Sequence, residues 1–150
     1  MRRNKLKVYL HFVWKTWDRQ PLIAPGIERG LHRSIEGIAI KNGCSVLAIG
    51  GTEDHVHLFV KFPATVTMAD LMRRVKGGSS NYANAELVEA GAFRWQGNYG
   101  AFSVSQRDKQ RVIDYIMRQK EHHAAGAIWP EAEESFIDDE PESEATSVSA

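Results

Sequence analysis

The sequence predicts an α+β fold: a ferredoxin-like β-α-β-β-α-β antiparallel sheet with one further helix at its C-terminal end. Three observations lead there. Four short runs rich in β-branched and aromatic residues are spread along the first 104 positions. Between the first and second runs, and between the third and fourth, apolar residues recur at helical spacing instead. The second and third runs are only a few residues apart, which favours an antiparallel hairpin.

The first strand is predicted over Val8 to Trp14, and Pro21 to Pro25 forms a loop. Ile27, Leu31, Ile35 and Ile38 then mark one face of a helix, with Asn42-Gly43 as its stop. Cys44 to Ile49 is the second strand, Gly50-Gly51-Thr52-Glu53 the turn, and His55 to Phe62 the third strand. Thr67 is placed to cap a helix whose apolar stripe is Met68, Leu71, Met72 and Val75. Gly77-Gly78 weakens or kinks that helix before it resumes through Tyr82 to Val88. Gly91 opens a loop and Ala101 to Val104 makes the fourth strand. Ser105, with Asp108 three residues on, resembles a capping box. It starts a last helix from Gln106 to about His123, with Val112, Ile113, Ile116 and Met117 as the expected buried stripe.

Composition sets the class. The chain of 150 residues is 43% hydrophobic and 25% charged, as expected of one soluble globular domain. The single cysteine, Cys44, excludes an internal disulfide and fits a reducing, cytoplasmic setting. No apolar run reaches the ~18 residues a membrane span needs. The formal net charge is zero, yet it divides sharply. Every Lys and Arg, 19 in all, precedes Pro130, against eleven acidic residues there, while the last segment holds eight acids and no base. The domain, residues 1–129, is thus +8, and residues 130–150 form an acidic tail of −8 with the composition of a disordered segment. A basic body favours a polyanionic partner such as nucleic acid.

Two positions carry possible chemistry. Side chains alternate along a strand, so His55, His57 and Phe59 share one face while Val56, Leu58 and Val60 take the other. Such a pair fits either half a metal site or two half-buried hydrogen-bonded rings. Imidazole favours Mn²⁺, Zn²⁺ or Co²⁺ over Mg²⁺. Downstream, Tyr115 and Gln119 are four residues apart and stack on one helix face, in line with Arg111 and His122. Tyr115 is then either a core aromatic or a phenol facing a reaction centre. Arg73, Arg74 and Lys76, followed by Ser79 and Ser80, combine cations, hydroxyls and flexible backbone in a set suited to phosphate contacts. A solvated helix end reads the same way. Trp95, Tyr99 and Phe102 are candidates for base stacking or for the core, with Phe102 assigned to the core.

In order along the chain stand His11-Phe12-Val13-Trp14-Lys15-Thr16, then Glu53-Asp54-His55-Val56-His57-Leu58, then Leu71-Met72-Arg73-Arg74-Val75-Lys76-Gly77-Gly78-Ser79-Ser80. They are followed by Trp95-Gln96-Gly97-Asn98-Tyr99-Gly100 and by Tyr115 to Gln119 with Glu121-His122-His123. Together these blocks resemble the single-tyrosine transposases of the HUH nuclease superfamily, which mobilise small insertion sequences as single-stranded DNA. The resemblance implies that Tyr115 is the nucleophile on a catalytic C-terminal helix. It implies a divalent metal, Mg²⁺ or Mn²⁺, held by His55, His57 and Gln119, with Arg73, Arg74, Lys76, Ser79, Ser80 and Arg111 toward DNA. Cleavage would leave a covalent 5′-phosphotyrosine and a free 3′-hydroxyl. The implied partners are hairpin-forming DNA ends and a second copy of the chain in a homodimer.

A host-retained, repeat-associated relative would use the same chemistry. A non-catalytic ferredoxin-like module that binds single strands is the alternative from another class. Asp54 is a candidate partner for a ligating histidine or a cap for the turn. The chain departs from the family pattern after His123, where Gly126 and Pro130 replace a further helix and lead into the acidic tail.

Overall fold

A computed structural model describes residues 4–120. The last helix, expected from Gln106 to about His123, is regular only to Met117, with Arg118 as its non-helical cap; Glu121, His122, His123 and the acidic tail lie outside the described residues.

The four predicted strands form, and their order is that of a ferredoxin-like sheet. Strands β1 (Tyr9–Lys15), β2 (Ser45–Gly51), β3 (His55–Lys61) and β4 (Gly100–Val104) lie in the order β2-β3-β1-β4, each pair antiparallel. Helix α1 (Pro25–Lys41) and helix α2 (Met68–Tyr82) connect them, and α3 (Lys109–Met117) follows the last strand. Proline at the start of α1 fits its missing N–H. Thr67 caps α2 as expected, accepting from the Asp70 amide at 3.0 Å. Ser105 does the same for Asp108 at 3.3 Å, where a 3-10 turn opens the last helix.

The sheet has two differently covered faces. Leu10, Phe12, Trp14, Val56, Leu58 and Val60 point to α1 and α2 and build the main core with Leu31, Ile35, Leu71 and Val75. The opposite face carries Tyr9, Phe59 and Ala48, which pack against Val112, Tyr115 and Ile116 of α3. A residue inserted near Leu47 shifts the β2–β3 register between Val46 and Ala48. The bulge turns both Leu47 and Ala48 toward α3 while Val46 and Ile49 stay with the main core.

Several boundaries differ from expectation for identifiable reasons. Gly50 and Gly51 are the last residues of β2, not the turn, which is confined to Thr52-Glu53-Asp54. Helix α2 runs unbroken through Gly77-Gly78, because a side chain at Gly78 would come within 2.6 Å of the Ile38 methyl and glycine lets the two helices close. A π-helical turn, Ala83–Leu87, follows it. The expected stripe on α3 is rotated: Met117 is 65% exposed, and Tyr115 takes its place beside Val112 and Ile116. A 3-10 turn at Trp17–Arg19 had no signal in the hydrophobic pattern. Among the described residues no helix is long and apolar enough to cross a membrane.

Candidate active site

Strand alternation places His55 and His57 on the face opposite the main core, and the β1 register brings His11 and Lys15 to that face beside them. All four are buried. Helix α3 crosses this face so closely that a side chain on Gly50 would lie 2.3 Å from the Ile116 carbonyl oxygen. Glycine at that position therefore sets how near Tyr115 and Gln119 come to the histidines. The Tyr115 ring stands edge-on to His57, centroids 5.9 Å apart and planes at 82°. Gln119 is 2% exposed and its Oε1 lies 3.0 Å from His55 Nε2.

The turn before β3 fixes the orientation of His55. Its Nδ1 donates to the Asp54 carboxylate at 2.8 Å, and the Thr52 hydroxyl lies 2.8 Å from the same nitrogen and 3.1 Å from the carboxylate. Burial pushes the Asp54 carboxyl up, but the His55 hydrogen bond, the charges of His55 and Arg19 and the Thr52 hydroxyl outweigh it. The carboxyl is held below its ordinary range. Arg19 approaches it at 3.6 Å.

This network has a consequence for ion binding. In the neutral ring with Nδ1–H donated to Asp54, His55 Nε2 presents a lone pair toward the Gln119 amide oxygen, which also presents lone pairs. Two acceptors at this separation need a proton or a cation between them. Adjacent ligands of an octahedral ion with bonds of about 2.1 Å are themselves about 3.0 Å apart. His57 completes the donor set, its ring centroid 5.0 Å from that of His55. Among the described residues no group of three or more His, Cys, Asp or Glu side chains is arranged for a metal, so an ion here would take the Gln119 amide as its third protein ligand. The residues fit a weakly held divalent cation.

The predicted DNA-contact block lies elsewhere. Helix α2 covers the other face of the sheet, and its Arg73 and Arg74 are exposed there. Lys76 is turned inward: its amine donates to the carbonyls of Gln96 at 2.5 Å and Asn98 at 3.2 Å. Burial lowers its pKa to about 8. Ser79 is fully buried and accepts from the Trp95 indole at 2.9 Å. Lys76 and Ser79 thus tie α2 to the loop before β4, and neither presents its polar group as a phosphate contact. Ser80 returns its hydroxyl to the Gly77 carbonyl at 3.1 Å. Arg111 is exposed on α3, on the same side of the sheet as the histidines. Trp95 packs against Trp14 and Phe93 in the core, which removes it as a base-stacking surface. Tyr99 packs against Phe12.

Sequence reasoning gave no role to His11, Lys15 or Thr52. The odd-numbered parity of His11 and Lys15 was visible, but only the pairing of Lys15 with His55 and Val13 with His57 converts parity into a shared face.

Comparison with known proteins adds independent evidence. The family model described as "Transposase IS200 like" matches residues 4–119. The chain is 26% identical over 127 residues to the ISDra2 transposase TnpA of Deinococcus radiodurans, spanning 79% of this chain and 91% of that protein. A crystal structure of a candidate transposase from the same organism superposes with a TM-score of 0.62 at 23% identity, covering 79% of this chain and 98% of the other. A REP-associated tyrosine transposase, solved bound to a REP hairpin, superposes with a TM-score of 0.61 at 14% identity, covering 87% and 78%.

Proposed function

The chain belongs to the IS200-like transposase family, and on that premise we propose that it cuts and rejoins single-stranded DNA through Tyr115. The observation that carries the reading is the convergence of Tyr115, His55, His57 and Gln119 from a helix and a strand distant in sequence.

Each side chain has a part. His55, His57 and Gln119 would hold Mg²⁺ or Mn²⁺. When bound, the cation supplies charge neutralisation at the scissile phosphate. Asp54 and Thr52 keep the His55 ring aimed. The Tyr115 oxygen attacks phosphorus, the bond from phosphorus to the 3′-oxygen breaks, and the phenol proton ends on the released 3′-hydroxyl. The phosphotyrosine ester preserves the bond energy, so attack by another 3′-hydroxyl reseals the strand without ATP. A free phenol, with a pKa of about 10, is a weak nucleophile at neutral pH, which is why the site must supply the electrostatic stabilisation.

Arg73, Arg74 and Ser80, across the sheet from the histidines, would contact DNA away from the reacting phosphate, and Arg111 would contact it nearer the site. The hairpin-bound neighbour supports hairpin-forming ends as the substrate. A homodimer is the assembly that the resemblance implies, and light scattering on the full chain tests it.

The deciding experiment is Tyr115→Phe, which removes one hydroxyl. Wild-type chain with a single-stranded oligonucleotide and Mn²⁺ should give a protein–DNA adduct that survives denaturation. The variant should bind the strand and form none. An adduct with the variant would move the nucleophile elsewhere. Wild type that binds strands but forms no adduct with any element-end sequence would favour a non-catalytic module. Chelator should stop cleavage without lowering the melting temperature, since the sheet and its core do not depend on an ion as a zinc finger does.

A further inference from the structure

We propose that His11 is a positioning residue for ion binding: its Nε2 accepts a hydrogen bond from the Nδ1–H of His57, which leaves the His57 Nε2 lone pair for the cation. The inference rests on the reading that His55, His57 and Gln119 hold a divalent ion, and it concerns a residue to which that reading assigns nothing.

His11 Nε2 and His57 Nδ1 are 2.8 Å apart, and both rings are buried. The contact is built by the sheet. His11 pairs with Phe59 across β1 and β3, two residues from the Val13–His57 pair, and on its other side with Phe102 of β4. The His11 ring packs among His57, Phe59 and Phe102 at centroid distances of 5.0, 6.5 and 6.3 Å.

Two neutral imidazoles sharing one N–H···N bond have two arrangements, and they differ in consequence. If His11 donates from Nε2, the His57 proton sits on Nε2 and the ring cannot ligate through that atom. If His57 donates from Nδ1, its Nε2 carries a lone pair and the ring is ready to bind. Only the second arrangement gives the donor set a second imidazole nitrogen. Ligating histidines commonly donate their other N–H in this way to fix tautomer and ring orientation.

The two candidate ligands are therefore oriented by unlike groups. His55 donates to a carboxylate, whereas His57 meets a second imidazole. A neutral acceptor orients the ring without adding a second negative charge where a polyanionic strand must approach. Position 11 thus calls for an acceptor that is uncharged, rigid and packed.

The test uses the full chain without DNA. Long-range ¹H–¹⁵N spectra of ¹⁵N-histidine-labelled, metal-free protein report the tautomer of each ring, and electron paramagnetic resonance of free Mn²⁺ reports affinity. In wild type, His57 should be protonated at Nδ1. His11→Phe keeps an aromatic ring among Phe59 and Phe102 but removes the acceptor, and it should weaken Mn²⁺ binding about 10- to 100-fold. His11→Gln restores an uncharged acceptor of similar reach and should bind Mn²⁺ within a few-fold of wild type. Wild-type affinity in His11→Phe would show that the ring only fills space and overturn the proposal. So would His57 protonated at Nε2 in wild type, or a folded His11→Gln that binds no better than His57→Ala. If His11→Phe does not fold, the wild-type tautomer and the Gln variant decide. A wild-type chain that binds no Mn²⁺ overturns the ion reading itself, whereas the tautomer measurement judges the His11 contact alone.

Discussion

At the scale of single residues, the side chain that departs most from its sequence reading is Lys76. Burial lowers its pKa to about 8, from an ordinary value of 10.5. The folded state therefore releases the proton near pH 8, while the unfolded chain keeps it until about pH 10.4. Over that window the unfolded state binds more protons, so the folded state gains stability as pH rises and carries the full burden below it. Urea unfolding of wild type and Lys76→Gln from pH 7 to pH 10 should show the difference moving in favour of wild type. A constant difference would mean that the amine is not perturbed. Lys76 illustrates what the sequence hides: a lysine two and three residues after exposed arginines has the same local signature whichever way it points. The shared face of His55 and His57 was legible because period 2 on a strand fixes it. Gln119, by contrast, lies past Arg118, where the backbone leaves the helical geometry of α3, so its approach to His55 is more than a period of four on one helix. His11 was not legible, since its facing relative to His57 depends on the register between two strands 46 residues apart.

Among the elements, α3 and β2 form the contact on which the site depends, and Gly50 is its closest point. Any side chain there meets the Ile116 backbone, which cannot swing aside as a rotamer would. Gly50→Ala should cost about 1–3 kcal/mol of stability in denaturant titrations. It should also reduce adduct formation, because lifting α3 separates Gln119 from His55. A variant with normal stability and activity would show that the helix tolerates a larger gap. In the sequence, Gly50-Gly51 looks like a turn, since glycine pairs usually punctuate a chain. Its real purpose is close approach of a helix that lies 66 residues further along, which no local pattern encodes. The bulge near Leu47 was hidden similarly: Cys44 to Ile49 alternates poorly, and only the partner strand reveals the inserted residue. The helix caps at Thr67 and Ser105 were legible because they act within three residues.

For the whole molecule, the charge division makes a prediction that the neutral total conceals. An acidic segment tethered to a +8 body would compete with DNA at high effective concentration. Removing residues 131–150 should tighten single-strand binding, most at low salt, with the gain fading as ions screen the attraction. Identical salt curves with and without the segment would leave it no part in binding. A second consequence belongs to the sheet's two faces. Among the described residues, seventeen buried hydrophobic residues form the cluster under α1 and α2, but six form the one beneath α3. Cooperative opening of a protein follows such divisions, with the smaller unit releasing at lower free energy. Amide hydrogens of α3 should therefore exchange well before those of β1 and β3, in a step that exposes His57 while the main core remains closed. Equal protection in all three elements would refute this. If α3 does open first, the Tyr115 phenol and the two histidines sit on separately melting units, and the centre can come apart and re-form without the protein unfolding.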